Sequence, residues 1–443
     1  MRRMRCSKPV ALVFLALPAG TYTLMASGPT PPEPVAAEWK MRLAAAVGRA
    51  LSANPELAAM EARIQAARQH ALQADALPDP ELEAGIKDLP VASPSLSRSD
   101  FTMEMVTARQ NFPGLGKRAT RRASARAAAE GAAAVHARGV VEVAAEVADS
   151  FFMLAEVDRR LEILERSRER LKRGAASAIE RYKVGKGAQA DVLRANLETT
   201  ALEDRLLSLK SERRATAARF NALQNLPADN LVPTIGTVDP LGPGKSAAEI
   251  LREAEESSPG VAAARASVRR AEEELKLARF ERRPDWMAMA YYGHREKAED
   301  LAGASLSFNL PFAHPRRLDA RRAEMEAELS SARADLESVR NRLRRDVELA
   351  AADLERNVEE EHLYRASILP QAEINYRAAT EAYAVGQIDF LTFERAALDL
   401  DSYETEIAAR TSGIGRGIAA LQKASGLPLI EGTPKPGGQH VEK

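Results

Sequence analysis

The sequence has a single cysteine, Cys6, and it stands ahead of the first apolar run. Downstream of it there is no thiol for a disulfide, a metal site or a lipid anchor behind a leader. Aromatic residues make up only 5% of the chain, against 45% hydrophobic and 28% charged residues, with abundant alanine. That is the balance of long helices packed side by side. The formal net charge is +0, so no basic face speaks for nucleic acid. Past the leader, no segment resembles a transmembrane helix. The six histidines, His70, His136, His294, His314, His362 and His440, show neither HxxxH nor HxxH spacing, so no permanent transition-metal site is expected. GxSxG, P-loop, HExxH and Rossmann glycine patterns are all missing. The expectation is a non-enzyme without a cofactor.

What is present begins with a leader. Arg2, Arg3, Arg5 and Lys8 precede the apolar run Val10 to Leu17, and small residues follow around Ala26-Ser27-Gly28. This predicts an export signal over residues 1–26, with Ala37 as a second cleavage candidate.

The most informative feature is a repeat. Tyr182-Lys183-Val184-Gly185 recurs 201 residues later as Tyr383-Ala384-Val385-Gly386. Asn54-Pro55 answers Ser258-Pro259, Pro78-Asp79 answers Pro284-Asp285, and Asn111-Phe112-Pro113 answers Asn309-Leu310-Pro311, all in the same order. The chain is a tandem duplication, with repeats at 38–226 and 247–427, a proline-rich linker at 227–246 and a tail at 428–443 expected to be disordered. Each repeat reads as helix, two strands, then a giant helical hairpin.

Gly114 to Leu226 contains no proline. Val147, Leu154 and Leu161 are spaced by seven, a coiled-coil seam. A helix of this kind from Gly116 to Tyr182 spans roughly 100 Å. Pro370 lies inside the outgoing helix of the second hairpin, where a kink is expected. The strands alternate with period two. Leu82, Ala84 and Ile86 define one apolar face. Phe101, Met103 and Met105 continue it in the second strand. Leu306, Phe308 and Leu310 do so in the fourth.

Alternation alone fits two readings: ordinary surface hairpins, or strands in lipid. The export signal and the duplication favour lipid. Strands in hydrocarbon must close into a barrel, because open edges leave backbone groups unpaired. Four strands are too few, whereas three identical chains supply twelve. The basic pairs Lys117-Arg118, Arg121-Arg122 and Arg282-Arg283 lie at strand–helix junctions, either as solvated helix ends or against lipid headgroups.

Taken together, the two Tyr-x-Val-Gly tips, followed by Asp191-Val192-Leu193 and by Phe390-Leu391, the Asn-Phe-Pro and Asn-Leu-Pro strand exits and the 200-residue repeat resemble the outer-membrane efflux protein family, the TolC-like channels. Leu77-Pro78-Asp79-Pro80-Glu81-Leu82 and Asn111-Phe112-Pro113-Gly114 are similar to the branch associated with heavy-metal efflux. The resemblance implies a mostly α-helical fold, with duplicated long hairpins forming an α-barrel tunnel and four strands per chain completing a twelve-stranded trimeric β-barrel. It implies an outer-membrane homotrimer with a large periplasmic portion. Such a channel is a passive conduit for a periplasmic adaptor and an inner-membrane pump. By the same resemblance, the tips around Val184, Gly185, Asp191, Val385, Gly386 and Asp389 dock the adaptor. The region of Asp389, Thr392, Glu394 and Arg395 matches a periplasmic gate, although Thr392 and Arg395 stand where two aspartates are expected. The alternative is an adaptor-like coiled-coil interaction protein, against which two hairpins and only four strands count.

Overall fold

The computed structural model describes residues 35–435 apart from 93, 243 and 312–314. The expected leader lies outside these residues.

Each repeat opens with two helices in series. α1 (Val35–Ala53) passes to α2 (Pro55–Gln73) at Asn54. The Asn54 side chain accepts from the backbone N–H of Glu56 at 2.8 Å, and Pro55 takes the first helical position, where no N–H is needed. The second repeat repeats the device: α5 (Ala247–Ser257) gives way to α6 (Pro259–Phe280), with Pro259 again opening the helix. Ser246 and Glu249 close a reciprocal capping box at the start of α5.

Two long hairpins dominate the molecule. α3 (Lys117–Lys183) runs unbroken for 67 residues and returns as α4 (Gln189–Leu223). In the second repeat α7 (Pro315–Leu363) continues through a π-helical turn (Tyr364–Ile368) into α8 (Leu369–Val385) and returns as α9 (Phe390–Ser425). The π turn lies just ahead of Pro370. Proline supplies no N–H to the preceding turn, and a wider turn re-registers the backbone bonds around the gap. The anticipated disturbance therefore takes the form of a bulge within a continuing helix.

α3 is the spine that joins the repeats, packing on α2, α4, α6 and α9. A core of Val47, Val147, Phe151, Phe152 and Leu154 gathers where α1, α3, the end of α4 and the linker meet. A second core, with Ile250, Val261, Val347 and Leu421, joins α5, α6, α7 and α9.

Two segments are more ordered than the sequence suggests. The linker is pinned to the bundle: Arg42 donates to the Thr234 carbonyl at 3.0 Å, Asp158 accepts from the Ile235 N–H at 2.9 Å, and Ile235 and Val238 are buried. The tail expected to be disordered from 428 is instead packed over 428–433. Ile430 is buried, and the enclosed Gln422 side chain accepts from the N–H groups of Leu429 and Ile430, both at 2.8 Å. A buried amide satisfied in this way holds the chain beyond the helix end.

The strands β1 (Glu81–Lys87), β2 (Met103–Phe112), β3 (Trp286–His294) and β4 (Leu301–Phe308) form one antiparallel sheet in the order β1-β2-β3-β4. The β2–β3 pairing joins the two repeats. Asp285 fastens the strand exits to α3, accepting from the Gly114 N–H at 2.6 Å and from Lys117 at 2.8 Å. Arg122 pairs with Asp75 at 2.6 Å and Arg282 with Asp319 at 2.6 Å, so much of the basic cluster at these junctions is engaged with acids of the same chain. Among the described residues no helix is long and apolar enough to cross a membrane.

Candidate functional site

Pairing fixes which side chains share a face of the sheet, because directly opposed residues point the same way. Leu82 opposes Ala108, Ala84 opposes Val106, Ala288 opposes Leu306, and Trp286 opposes both Phe112 and Phe308. With Ile86, Ala290, Tyr292, Ala302 and Ala304 these make one apolar face. Its large members Leu82, Ile86, Val106, Tyr292, Leu306 and Phe308 are exposed in the single chain. Phe112 and Trp286 stack at one end with ring centroids 3.9 Å apart.

The register corrects the reading of β2. Met103 opposes Lys87 and Met105 opposes Gly85 and Gly293, so both lie on the other face, with Glu83, Thr107, Arg109, Ser305 and Ser307. The apolar face of β2 is carried by Val106, Ala108 and Phe112. Phe101 and Leu310 fall outside the strands and are exposed. The second face is polar, with Arg109 paired to Glu83, and more enclosed in places, with Thr107 buried mid-strand and Met103 buried at the loop end.

At the opposite end stand the hairpin tips. Both helices stop on a glycine in the left-handed region, Gly185 at φ +72° and Gly386 at φ +84°. Both close with the same wide backbone bond, from Lys186 N–H to the Arg181 carbonyl at 2.8 Å and from Gln387 N–H to the Ala382 carbonyl at 2.9 Å. Val184 and Val385 project from the tips, 65% and 72% exposed. Arg181 ties the tips together. It donates to the Tyr383 carbonyl at 2.8 Å, and its guanidinium lies 4.8 Å from the centre of the Tyr383 ring. Tyr383 stacks on Phe393 and meets Phe390 edge-on, forming an aromatic knot in the second tip.

The expected gate residues separate into distinct roles. Asp389 caps α9, accepting from the Thr392 N–H at 2.9 Å and hydroxyl at 2.6 Å. These bonds hold its carboxyl below the usual range. Asp191 sits instead in the first turn of α4 and does not cap it. Glu394 is 2% exposed and faces Arg194 of α4; burial pushes its pKa up and Arg194 opposes the shift. Arg395 is exposed and forms no ion pair among the described residues. Further along α9, where it packs on α3, Asp401 is buried against Ser167 and Arg170, with Arg170 at 2.8 Å. Burial pushes the Asp401 carboxyl up to about 6, outweighing the Ser167 bond and the Arg170 charge that pull it down. Arg170 also reaches Glu404 at 3.1 Å.

Arg181, Arg194, Asp401 and the aromatic knot were not singled out from the sequence. Tyr383 was visible as a repeat landmark, but its tie to Arg181 joins residues 202 positions apart. Among the described residues no group of three or more histidine, cysteine or acidic side chains is arranged to hold a metal ion.

The model of the family described as outer membrane efflux protein matches residues 46–226 and 250–427. The cobalt-zinc-cadmium resistance protein CzcC of Cupriavidus metallidurans is 26% identical over 441 residues, covering 98% of this chain and all of that protein. Among solved structures, the outer membrane protein VceC of Vibrio cholerae superposes with a TM-score of 0.74 at 18% identity, over 87% of this chain and 96% of that one. The open state of the MtrE outer membrane channel of Neisseria gonorrhoeae gives 0.69 at 16% identity, over 89% and 91%.

Proposed function

The chain belongs to the outer membrane efflux protein family, and from that premise we propose that three copies pool their strands into a twelve-stranded barrel above a helical periplasmic tunnel. The chain is an outer-membrane efflux channel with a large periplasmic portion, and its family is one of channels rather than enzymes. The observation that carries the trimeric reading is the four-stranded sheet. It has an exposed apolar face and two outer strands, β1 and β4, each with one unpaired edge. In lipid such edges are satisfied only by further strands. Mass measurement of the detergent-extracted protein is expected to give three chains; a stable water-soluble monomer contradicts it.

The channel is a passive conduit in a tripartite assembly, receiving cargo from a periplasmic adaptor coupled to an inner-membrane pump. The adaptor meets the tips at Val184, Gly185, Asp191, Val385, Gly386 and Asp389, where exposed valines and open glycine backbone permit close approach. Gly185→Trp and Gly386→Trp are expected to leave the trimer assembled and to abolish adaptor crosslinking. Normal crosslinking in both variants places docking elsewhere. The Arg194–Glu394 contact belongs to the periplasmic gate, together with Asp389, Thr392 and Arg395.

The cargo is a heavy-metal cation. Similarity to a cobalt-zinc-cadmium resistance protein across the full chain supports this. Deleting the protein is expected to sensitise cells to metal cations before drugs; the reverse order contradicts the cargo and leaves the channel intact.

A further inference from the structure

The four strands contain four methionines, Met103, Met105, Met287 and Met289. All four lie on the polar face, and the apolar face has none. If bulk alone were needed, leucine, isoleucine or valine would serve, as they do across the sheet. On the polar face Leu301 is the only large aliphatic residue besides these four. Met103 covers Gly293 across the strand pair, so its sulfur is held on this face by packing, and the four thioethers share one side of the sheet.

They come as two pairs, Met103-Glu104-Met105 on β2 and Met287-Ala288-Met289 on β3. Residues two apart on a strand point to one side with Cα atoms about 7 Å apart. Methionine is unbranched, with three rotatable bonds, so its sulfur is adaptable in position. Met103 is 8% exposed, and the other three are half-buried. Glu81 and Glu83 balance Arg109 and Lys87 on this face, and Glu83 is paired to Arg109, so among the described residues no free carboxylate cluster is offered to a hard divalent cation. Neutral soft sulfur donors favour Cu(I).

We propose that the two Met-x-Met pairs are weak, successive binding stations on the lumen wall for a soft monovalent cation of the Cu(I) or Ag(I) class. Met103–Met105 lies toward the loop end of the β1–β2 hairpin. Met287–Met289 faces Asn111 and Arg109, toward the periplasmic end. A conduit requires sites favourable enough to enter and weak enough to leave, and two uncharged thioethers without a thiolate or imidazole meet that requirement. The inference rests on the channel reading above, which makes the polar face the lumen.

The test uses silver(I) nitrate as the probe in chloride-free buffer, by equilibrium dialysis against the detergent-purified protein. The comparison variant carries Met103→Leu, Met105→Leu, Met287→Leu and Met289→Leu, which preserve volume. Wild type is expected to retain about two more silver ions per chain than this variant, one for each sulfur pair. Each two-residue variant is expected to lose about one, which keeps the comparison available should the fourfold variant not assemble. Zinc retention is expected to be equal throughout. Equal silver retention by assembled wild type and variants overturns the inference while leaving the channel reading standing. A wild-type protein that forms no heat-modifiable oligomer overturns the channel reading, and the lumen placement with it.

Discussion

Tyr182 and Tyr383 stand at the same place in the two repeats, yet Tyr182 is 48% exposed and Tyr383 3%. Their backbones are alike, with the same left-handed glycine and the same closing bond. Their surroundings are not. A side chain added at Gly185 meets nothing within 4 Å, whereas at Gly386 it comes within 3.2 Å of Arg181. The first hairpin has an unbroken outgoing helix; the second has a π turn, an aromatic knot and the buried acids Glu394 and Asp401. Duplication preserved the turn chemistry, which is local. It did not preserve the packing, which depends on the neighbour each tip acquired. The second hairpin is therefore the one whose position is set by contacts that substitution or protonation can break.

The largest difference should appear in the knot. Phe393→Ala removes a buried ring that packs on Tyr383 and Tyr376 and is expected to cost about 3–5 kcal/mol. Val192→Ala at the matching place in the first hairpin should cost less, since Val192 is only partly buried. Limited proteolysis and thermal unfolding of both variants measure the gap. Equal losses would show that the tips are equivalent after all.

The next effect is a pH dependence. The Asp401 carboxyl is pushed up to about 6 from an unfolded value near 3.8, so the folded seam binds the extra proton. Its contribution to stability is complete below about pH 4 and is lost as pH rises through about 6, an effect of roughly 3 kcal/mol. Asp401→Asn is expected to flatten that window, read as unfolding midpoint against pH between 4 and 7. An unchanged slope would remove Asp401 as its source.

The smallest contrast is between the glycines. Alanine at a left-handed position costs about 1 kcal/mol. Gly386→Ala should exceed Gly185→Ala because Arg181 must also shift. Matching melting shifts would contradict the crowding.

The repeat, the helix ends and the hairpin tips were legible because glycine, proline and asparagine mark them locally: Asn54-Pro55, Gly185 and Gly386 act where they stand. The facing of β2 was not. Phe101, Met103 and Met105 look like an apolar stripe, but Val106, Ala108 and Phe112 occupy alternate positions of the other parity, and only pairing with β1 and β3 decides between them. Arg181, Asp401 and Gln422 were illegible for a related reason. Arg181 and Asp401 bind partners across the fold, and Gln422 bridges the Val141 carbonyl across the fold to the nearby tail, which no local pattern names. The tail misled because its order depends on one buried amide.

Closure of the sheet with other copies in lipid turns its Leu306 and Phe308 face outward in the proposed barrel. The most direct measurement compares the membrane yield of heat-modifiable oligomer for Leu306→Arg, Phe308→Arg and Ser307→Arg. An arginine on the lipid face costs about 2–4 kcal/mol at the bilayer midplane and less toward the interfaces, and it recurs in every copy. The first two variants are predicted to lose most of the assembled oligomer, while Ser307→Arg, on the opposite face, keeps it. Equal yields for all three would contradict the facing and, with it, the barrel.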